Sequence, residues 1–121
     1  MLLPLGSVVR LKNGEAKMLI INRGVKIKIN NQDCYFQYEA CVDPVGASQE
    51  NIFYFNEEEI DQVIFKGYVD QEDEENFEIA YQKWMKANNV DKFTSVNKLL
   101  QKEEQKLKEK NDIESKLFNN K

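Results

Sequence analysis

Apolar and polar residues alternate at the start of the chain in a pattern that predicts a β-hairpin. From Ser7 to Lys12, valine and leucine come to alternate with basic residues, as in a strand that buries one face. From Ala16 to Ile21 the sequence is more continuously apolar, which favours a strand covered on both faces. Asn13-Gly14 lies between the two stretches, and this dipeptide is the strongest short-range hairpin signal.

Further strand patterns follow, each bounded by turn-forming residues. Gly24 predicts a turn, after which Val25 to Ile29 alternates with lysines as a third strand. A polar turn over residues 30–33 precedes an aromatic-rich fourth strand from Tyr35 to Val42, and Ile52 to Phe55 predicts a short fifth strand.

Helical signals begin after residue 55. Asn56 followed by Glu59 predicts a capping box at a single turn, after which Val63 to Phe65 favours a return to strand. Asp70 predicts the N-cap of a longer helix that Asn88-Asn89 ends. The apolar stripe of this helix consists of Phe77, Ala80, Tyr81, Trp84 and Met85.

A second helix is predicted from near Thr94 to Leu117. Its sizeable apolar residues are few, so we expect it to need a partner in order to be stable. They are Val96, Leu99, Leu100, Leu107, Ile113 and Leu117.

These elements predict an α+β fold. Residues 1–69 would form a small, mostly antiparallel β-domain of five or six strands, for which the short meandering strands suggest an SH3-like barrel. Residues 70–121 would form a helical segment of two helices that packs on the β-domain, with the last helix extended.

Composition and charge narrow the function classes. The 121 residues suffice for one domain with a core, and the net charge of -4 argues against nucleic acid or an anionic membrane as the main partner. No apolar run approaches the roughly 18 residues of a membrane span. The N-terminus lacks the features of a secretory signal, so we expect a cytoplasmic protein.

A basic outer face leaves open a module that binds single-stranded nucleic acid by stacking and phosphate contacts. A solvated face of a half-buried sheet is the simpler interpretation. The residues of this face would be Arg10, Lys12, Lys26 and Lys28, with Tyr35, Phe36 and Tyr38 nearby.

The sequence predicts no enzyme, no cofactor site and no metal site. Histidine is absent, which removes the usual general base and the commonest metal ligand. The acidic runs Glu57 to Asp61 and Asp70 to Glu78 are interpreted as helix-start acids, because they lack the alternation and glycine of a calcium loop. Cys34 and Cys41 have opposite strand parity and are interpreted as buried, reduced thiols.

The aromatic residues of the later segments are interpreted as the core where helix meets sheet, with a ligand pocket as the alternative. For Tyr81, Trp84 and Met85 a protein interface is a further alternative. The aromatic set comprises Phe53, Tyr54, Phe55, Phe65, Tyr68, Phe77, Tyr81 and Trp84.

An ordered set of short motifs gives the chain a family resemblance over about residues 4–78. The motifs are Leu5 to Val9, Leu11-Lys12, Lys17 to Ile21, Arg23-Gly24, Phe36 and Tyr38, Pro44 and Gly46, Phe55-Asn56, and Ile60 to Tyr68. In this order they resemble an uncharacterised bacterial family, domain-of-unknown-function family 4176. The loop Val42 to Gly46 departs from the family's Tyr-Pro-Glu-Gly-like sequence.

The resemblance implies a small cytoplasmic partner encoded beside LXG-type polymorphic toxins of the type VIIb secretion system in Gram-positive bacteria. Such a protein would be a non-enzymatic chaperone or targeting factor that binds the toxin or a small helical accessory protein. The alternatives are an immunity protein that neutralises the toxin and the nucleic-acid-binding β-module. We expect partner contacts on the helices, at Trp84, Met85, Leu99, Leu100, Leu107, Ile113 and Leu117.

Overall fold

The computed structural model describes residues 1–95, and the predicted second helix lies outside them apart from its first residues. The α+β class is confirmed by one sheet and one helix. The elements are β1 (Val8–Leu11), β2 (Lys17–Ile29), β3 (Gln32–Asp43), β4 (Ile52–Phe55), a 3-10 turn (Glu57–Glu59), β5 (Ile60–Phe65) and α1 (Gln71–Ala87).

All five strands form one antiparallel sheet with the order β4-β3-β2-β1-β5. Strands β1 to β4 follow one another as a meander, and β5 returns to lie beside β1. The predicted closure into an SH3-like barrel is wrong, because β4 and β5 are each paired on one side only and do not share a ladder. Among residues 1–95 they are the two edges of an open sheet.

The predicted N-terminal hairpin is present. Val9 of β1 lies opposite Met18 of β2. Between the strands Asn13 adopts a left-handed φ of 63°, and the Gly14 amide donates to the carbonyl of Leu11 at 3.0 Å. Asn13 and Gly14 therefore form the turn that their residue types predict.

The predicted turn at Gly24 is wrong, because β2 continues through this residue. Arg23 and Val25 on either side of it remain paired with Tyr38 and Phe36 of β3. Gly24 has a φ of +72°, and a Cβ there would lie 3.2 Å from ring atoms of Tyr81. Glycine is needed here for its backbone conformation and for the close approach of α1.

A two-residue turn joins β2 to β3. Asn30 and Asn31 both have positive φ, at 53° and 63°, as a type I′ hairpin turn requires. Asparagine tolerates this region better than most residues. The predicted polar turn is confirmed, and the two long strands that it joins form the middle of the sheet.

The core lies where α1 meets the sheet. Tyr81 of α1 is buried in the main apolar cluster, and Phe77 and Trp84 pack against it. Cys34 and Cys41 are buried free thiols, as predicted. The strand residues of the cluster are Val9, Met18, Ile20, Tyr38, Ala40 and Phe55.

Both predicted ends of α1 are confirmed. The Asp70 side chain accepts a hydrogen bond from the Asp73 amide at 3.0 Å, which satisfies one of the free donors of the first turn. At the other end Asn88 is the C-cap, and its amide donates to the carbonyl of Trp84 at 3.1 Å.

Candidate partner-binding surface

An exposed apolar surface follows the sheet edge formed by β5. Phe65 is 60% exposed and Tyr68 is 82% exposed, and their apolar neighbours are also exposed. Exposed apolar residues grouped along one edge mark interaction sites more often than scattered single residues do. We call this surface the β5 strip, and its members are Val63, Ile64, Phe65, Tyr68 and Val69.

The strip is exposed because of where β5 pairs. Three successive apolar residues in a strand place side chains on both faces of the sheet. All three are buried only where other elements pack on both of these faces. β5 pairs with β1 alone, with Val63 opposite Val9. Val9 is fully buried, whereas Val63 on the edge beside it is exposed.

The chain that leaves the C-terminal end of β5 is fixed by Ser7. The Ser7 hydroxyl donates to the Pro4 carbonyl at 2.8 Å and accepts from the Gly67 amide at 3.0 Å. Ser7 is completely buried. Gly67 lies so close to the backbone of Leu5 that no side chain could be placed at this position. This contact fixes the backbone from which the next residue, Tyr68, extends.

The N-terminal end of β5 is fixed by Asn56. The Asn56 amide donates to the Glu59 carboxylate at 2.7 Å, the reciprocal contact expected of the predicted capping box. Its side-chain oxygen accepts from the Gln37 amide at 2.9 Å, and its side-chain nitrogen donates to the Thr94 carbonyl at 2.8 Å. The start of β5 is therefore tied both to β3 and to the segment after α1.

Charged and polar groups border the strip. Asp61 lies near the start of β5, and Lys66 follows its last residue. On the neighbouring strand β1, the Arg10 guanidinium donates to the Gln62 side chain at 3.4 Å. An apolar centre with a polar border is the usual arrangement of a protein interface.

The family model described as "Domain of unknown function (DUF4176)" matches residues 2–76, more than half of the chain. The chain belongs to this family. The DUF4176 region contains all five strands, the whole β5 strip and the contact between Ser7 and Gly67, and it ends inside α1. No curated protein and no solved structure matches the chain.

The predicted partner residues lie outside the DUF4176 region. Trp84 and Met85 are half-buried and pack against the core cluster. The rings of Trp84 and Tyr35 meet edge-on, with 6.0 Å between their centres. The other predicted contacts lie outside the described residues. These are Leu99, Leu100, Leu107, Ile113 and Leu117.

The interpretation of the aromatic set as core is correct for only part of it. Phe55 and Tyr81 are buried, whereas Phe53, Phe65 and Tyr68 are exposed. Sequence reasoning therefore missed the β5 strip. The available signal was the run of three apolar residues from Val63 to Phe65, just before Gly67. A strand at the edge of the sheet cannot bury the side chains of such a run on both faces.

The basic outer face lacks most of its expected aromatic partners. Phe36 and Tyr38 are buried in the core and cannot stack on bases. Lys26 lies 3.8 Å from the Asp33 carboxylate and 3.5 Å from the Asn88 side chain. These contacts fit the solvated-face interpretation.

The buried hydroxyls are held in their neutral form. Burial raises the pKa of Tyr81 to about 12, although the Gln37 side chain opposes part of this rise. Burial also raises the pKa of Tyr38; the amide of Leu3 lowers it somewhat, and the adjacent Glu57 carboxylate raises it further. Within residues 1–95, no cluster of three or more His, Cys, Asp or Glu side chains is placed to hold a metal ion, and no helix there is long and apolar enough to cross a membrane.

Proposed function

We propose that this DUF4176 protein is a non-enzymatic accessory protein, a chaperone or targeting factor for type VII secretion. Its partner would be an LXG-type toxin or the toxin's small helical accessory protein. The observation that carries the proposal is the β5 strip, an exposed apolar surface along a strand whose flanking residues Asn56 and Gly67 are held by hydrogen bonds. The family resemblance supports the choice of partner.

The strip has the properties of a binding surface. Phe65 and Tyr68 are large side chains with few rotatable bonds, and aromatic residues of this kind often dominate interface energies. The fixed backbone at Asn56 and Gly67 lowers the entropy cost of binding. β5 also has a free edge within residues 1–95, where an extended segment of a partner can add as a further strand.

The proposal is tested by co-expressing the tagged 121-residue chain with the LXG toxin that the proposal expects to be encoded beside it. We expect the toxin to co-purify with the wild-type chain, and we expect toxin export to fall in a strain that lacks the chain. Failure to co-purify, together with normal export in the deletion strain, would contradict the proposal.

Variants then locate the surface. Val63→Lys with Phe65→Lys places two charges in the strip and should lower recovery of the toxin about tenfold or more. Ile79→Lys is the matched control, because Ile79 is 58% exposed and belongs to α1 and not to the strip. Recovery that falls equally with Ile79→Lys would show that the strip is not the binding surface.

The C-terminal contacts remain a separate prediction. Leu107→Lys with Ile113→Lys in the 121-residue chain tests them without substituting any residue of β5. If these substitutions abolish recovery and the strip substitutions do not, the partner binds at the C-terminal segment.

A further inference from the structure

The outer side of α1 has an exposed stripe whose charges reverse in sign about its midpoint. Ile79, which is 58% exposed, is the middle residue of the helix Gln71–Ala87. An α-helix turns by about 100° per residue, so residues three, four or seven positions from Ile79 lie within about 60° of it around the helix axis. We call the exposed residues at these positions the α1 outer stripe. Its charged members are Glu72 and Glu75 before Ile79, and Lys83 and Lys86 after it.

The α1 outer stripe faces away from the sheet. Phe77 and Tyr81 pack in the core, and each is two positions from Ile79, which puts it about 160° away around the helix axis. Within residues 1–95 the ion pair of α1 is made by Glu74, on the inner side, and none of the charged residues of the stripe makes one. The charges of the stripe are therefore available to a partner.

We propose that the α1 outer stripe binds a second copy of this chain, with the two helices antiparallel about a twofold axis at Ile79. A residue a given number of positions before Ile79 then lies level with the residue the same number of positions after Ile79 in the other copy. Glu75 lies level with Lys83 of the second copy, and Glu72 lies level with its Lys86. Because a twofold interface uses the same patch on both subunits, each of these contacts is made twice, on either side of the two Ile79 side chains.

The order of the charges selects this occupant and this direction. A parallel pairing in register would place glutamates against glutamates and lysines against lysines, whereas the antiparallel pairing brings only opposite charges together. The polar residues three positions from Ile79 match as well, since Asn76 lies level with Gln82 of the second copy. At the usual distance of about 8–10 Å between packed helix axes, long side chains on facing stripes reach one another.

The helix macrodipole does not account for the whole stripe. It favours acids in the first turn and bases in the last turn, and its effect falls off within those turns. Glu75 and Lys83 lie inside them, nearer the middle of the helix, and Ile79 has no charge for the dipole to act on. Self-pairing explains why an exposed isoleucine lies at the centre of this charge pattern.

The pair should be weak and sensitive to salt. Each ion pair between exposed side chains stabilises a contact only slightly and is screened by salt. Ile79 is the single large apolar residue that the stripe adds from each copy. We therefore expect a pair that dissociates on dilution and at high ionic strength. This inference depends on α1 alone and not on the proposed function.

The mass of the purified 121-residue chain, measured by sedimentation equilibrium across a concentration series, tests the pairing. In about 0.01 M salt we expect twice the mass of one chain at high concentration, and in about 1 M salt we expect one chain, because the screening length falls about tenfold. Ile79→Lys places two lysines together on the axis and should raise the dissociation constant about tenfold or more. One chain at every concentration in low salt, or a pair that Ile79→Lys leaves intact, overturns the proposal.

Val63→Lys is the matched control for this substitution, because Val63 is 47% exposed and belongs to β5 and not to α1. It should pair as wild type does. A pair that Val63→Lys abolishes and Ile79→Lys leaves intact would place the contact on the β5 edge.

A charge exchange provides the second test and leaves Ile79 unchanged. Glu75→Lys brings lysines of the two copies together and should weaken the pair about tenfold or more, whereas Glu75→Lys combined with Lys83→Glu should restore it. Glu50→Lys is the control, since it changes the net charge equally at an exposed residue outside α1. No recovery in the double variant overturns the antiparallel arrangement. Neither measurement uses the toxin, so a failure here is distinct from a failure to co-purify with toxin.

Discussion

Arg23 of β2 and Glu74 of α1 form a buried ion pair. Arg23 Nη1 donates to both carboxylate oxygens of Glu74, at 2.9 and 3.2 Å, and each side chain is only 9% exposed. The guanidinium carbon also lies 3.6 Å from the centre of the Phe77 ring. The pair therefore joins the beginning of the helix to the middle of the sheet.

Removing the carboxylate should destabilise the protein strongly. Glu74→Ala leaves the Arg23 charge buried without its partner, so we expect the free energy of unfolding to fall by about 3–5 kcal/mol in urea titrations. Glu75→Ala is the control, because the neighbouring Glu75 is exposed and should change stability by less than about 0.5 kcal/mol. Equal effects of the two substitutions would show that the ion pair does not hold the helix.

Gly24→Ala should destabilise the protein more than Gly46→Ala. Both glycines have positive φ, which costs an alanine about 1–2 kcal/mol. At Gly46 a Cβ meets nothing within 4 Å, whereas at Gly24 it would lie 3.2 Å from the Tyr81 ring and 3.5 Å from that of Trp84. Unfolding can be followed by the emission of Trp84, the only tryptophan in the chain. Equal losses would mean that the ring moves aside without cost.

Ser7→Ala should lower stability by about 1–3 kcal/mol, because the Gly67 amide loses its buried acceptor. Hydrogen exchange at the Gly67 amide should accelerate in the variant. Ser48→Ala is a suitable control, since Ser48 is exposed and its hydroxyl accepts a hydrogen bond from the nearby Asn51 side chain. The bond from the Asn51 amide to the Ser48 carbonyl is kept in the variant. Unchanged exchange at Gly67 would exclude the role assigned to the Ser7 hydroxyl.

Two tyrosine-to-phenylalanine substitutions should differ although both hydroxyls are buried. The Tyr38 hydroxyl accepts from the Leu3 amide at 2.8 Å and donates to Glu57 at 3.0 Å, so Tyr38→Phe should cost about 1–3 kcal/mol. The Tyr81 hydroxyl makes no hydrogen bond of acceptable geometry within residues 1–95, although the Gln37 side chain lies near enough to lower its pKa. Tyr81→Phe should therefore be neutral or stabilising at neutral pH. Thermal unfolding of both variants gives the comparison, and a larger loss for Tyr81→Phe would contradict it.

Stability should fall at high pH because of Tyr81. Its pKa rises from 10.0 to about 12 on burial, so between these values the unfolded chain has lost the proton while the folded protein keeps it. The stabilising contribution is complete below pH 10 and is lost as the pH rises through 12. Unfolding free energies measured across this range should fall less steeply for Tyr81→Phe than for wild type. Parallel curves would contradict the assignment.

Local signals were sufficient for the turns and helix ends. Asn13-Gly14, the pair Asn56 and Glu59, and Asp70 were interpreted correctly because each structure is decided within a few residues. Gly24 was interpreted wrongly because the reason for a glycine there is a ring on α1, distant in sequence.

The candidate surface could not be predicted for a related reason. The sequence from Val63 to Phe65 predicts a strand but does not show whether that strand is central in the sheet or at its edge. The strand is at the edge because it pairs with β1 alone. Whether Phe65 is buried depends on which strand lies beside it and whether a helix covers it. For Trp84 the sequence favours the core and leaves a partner contact open. The half-buried ring packs against the core cluster, and the partner contact stays a prediction.

The sheet pairs strands that are distant in sequence and are therefore synthesised at different times. Leu11 of β1 lies opposite Ile60 of β5, whereas β2 and β3 meet across the turn at Asn30 and Asn31. Contacts that close a long loop form more slowly than local ones, so the central hairpin can assemble while β5 is still being synthesised. The β5 edge is then the last part of the sheet to be completed. A client that recognises this edge would distinguish finished molecules from nascent ones.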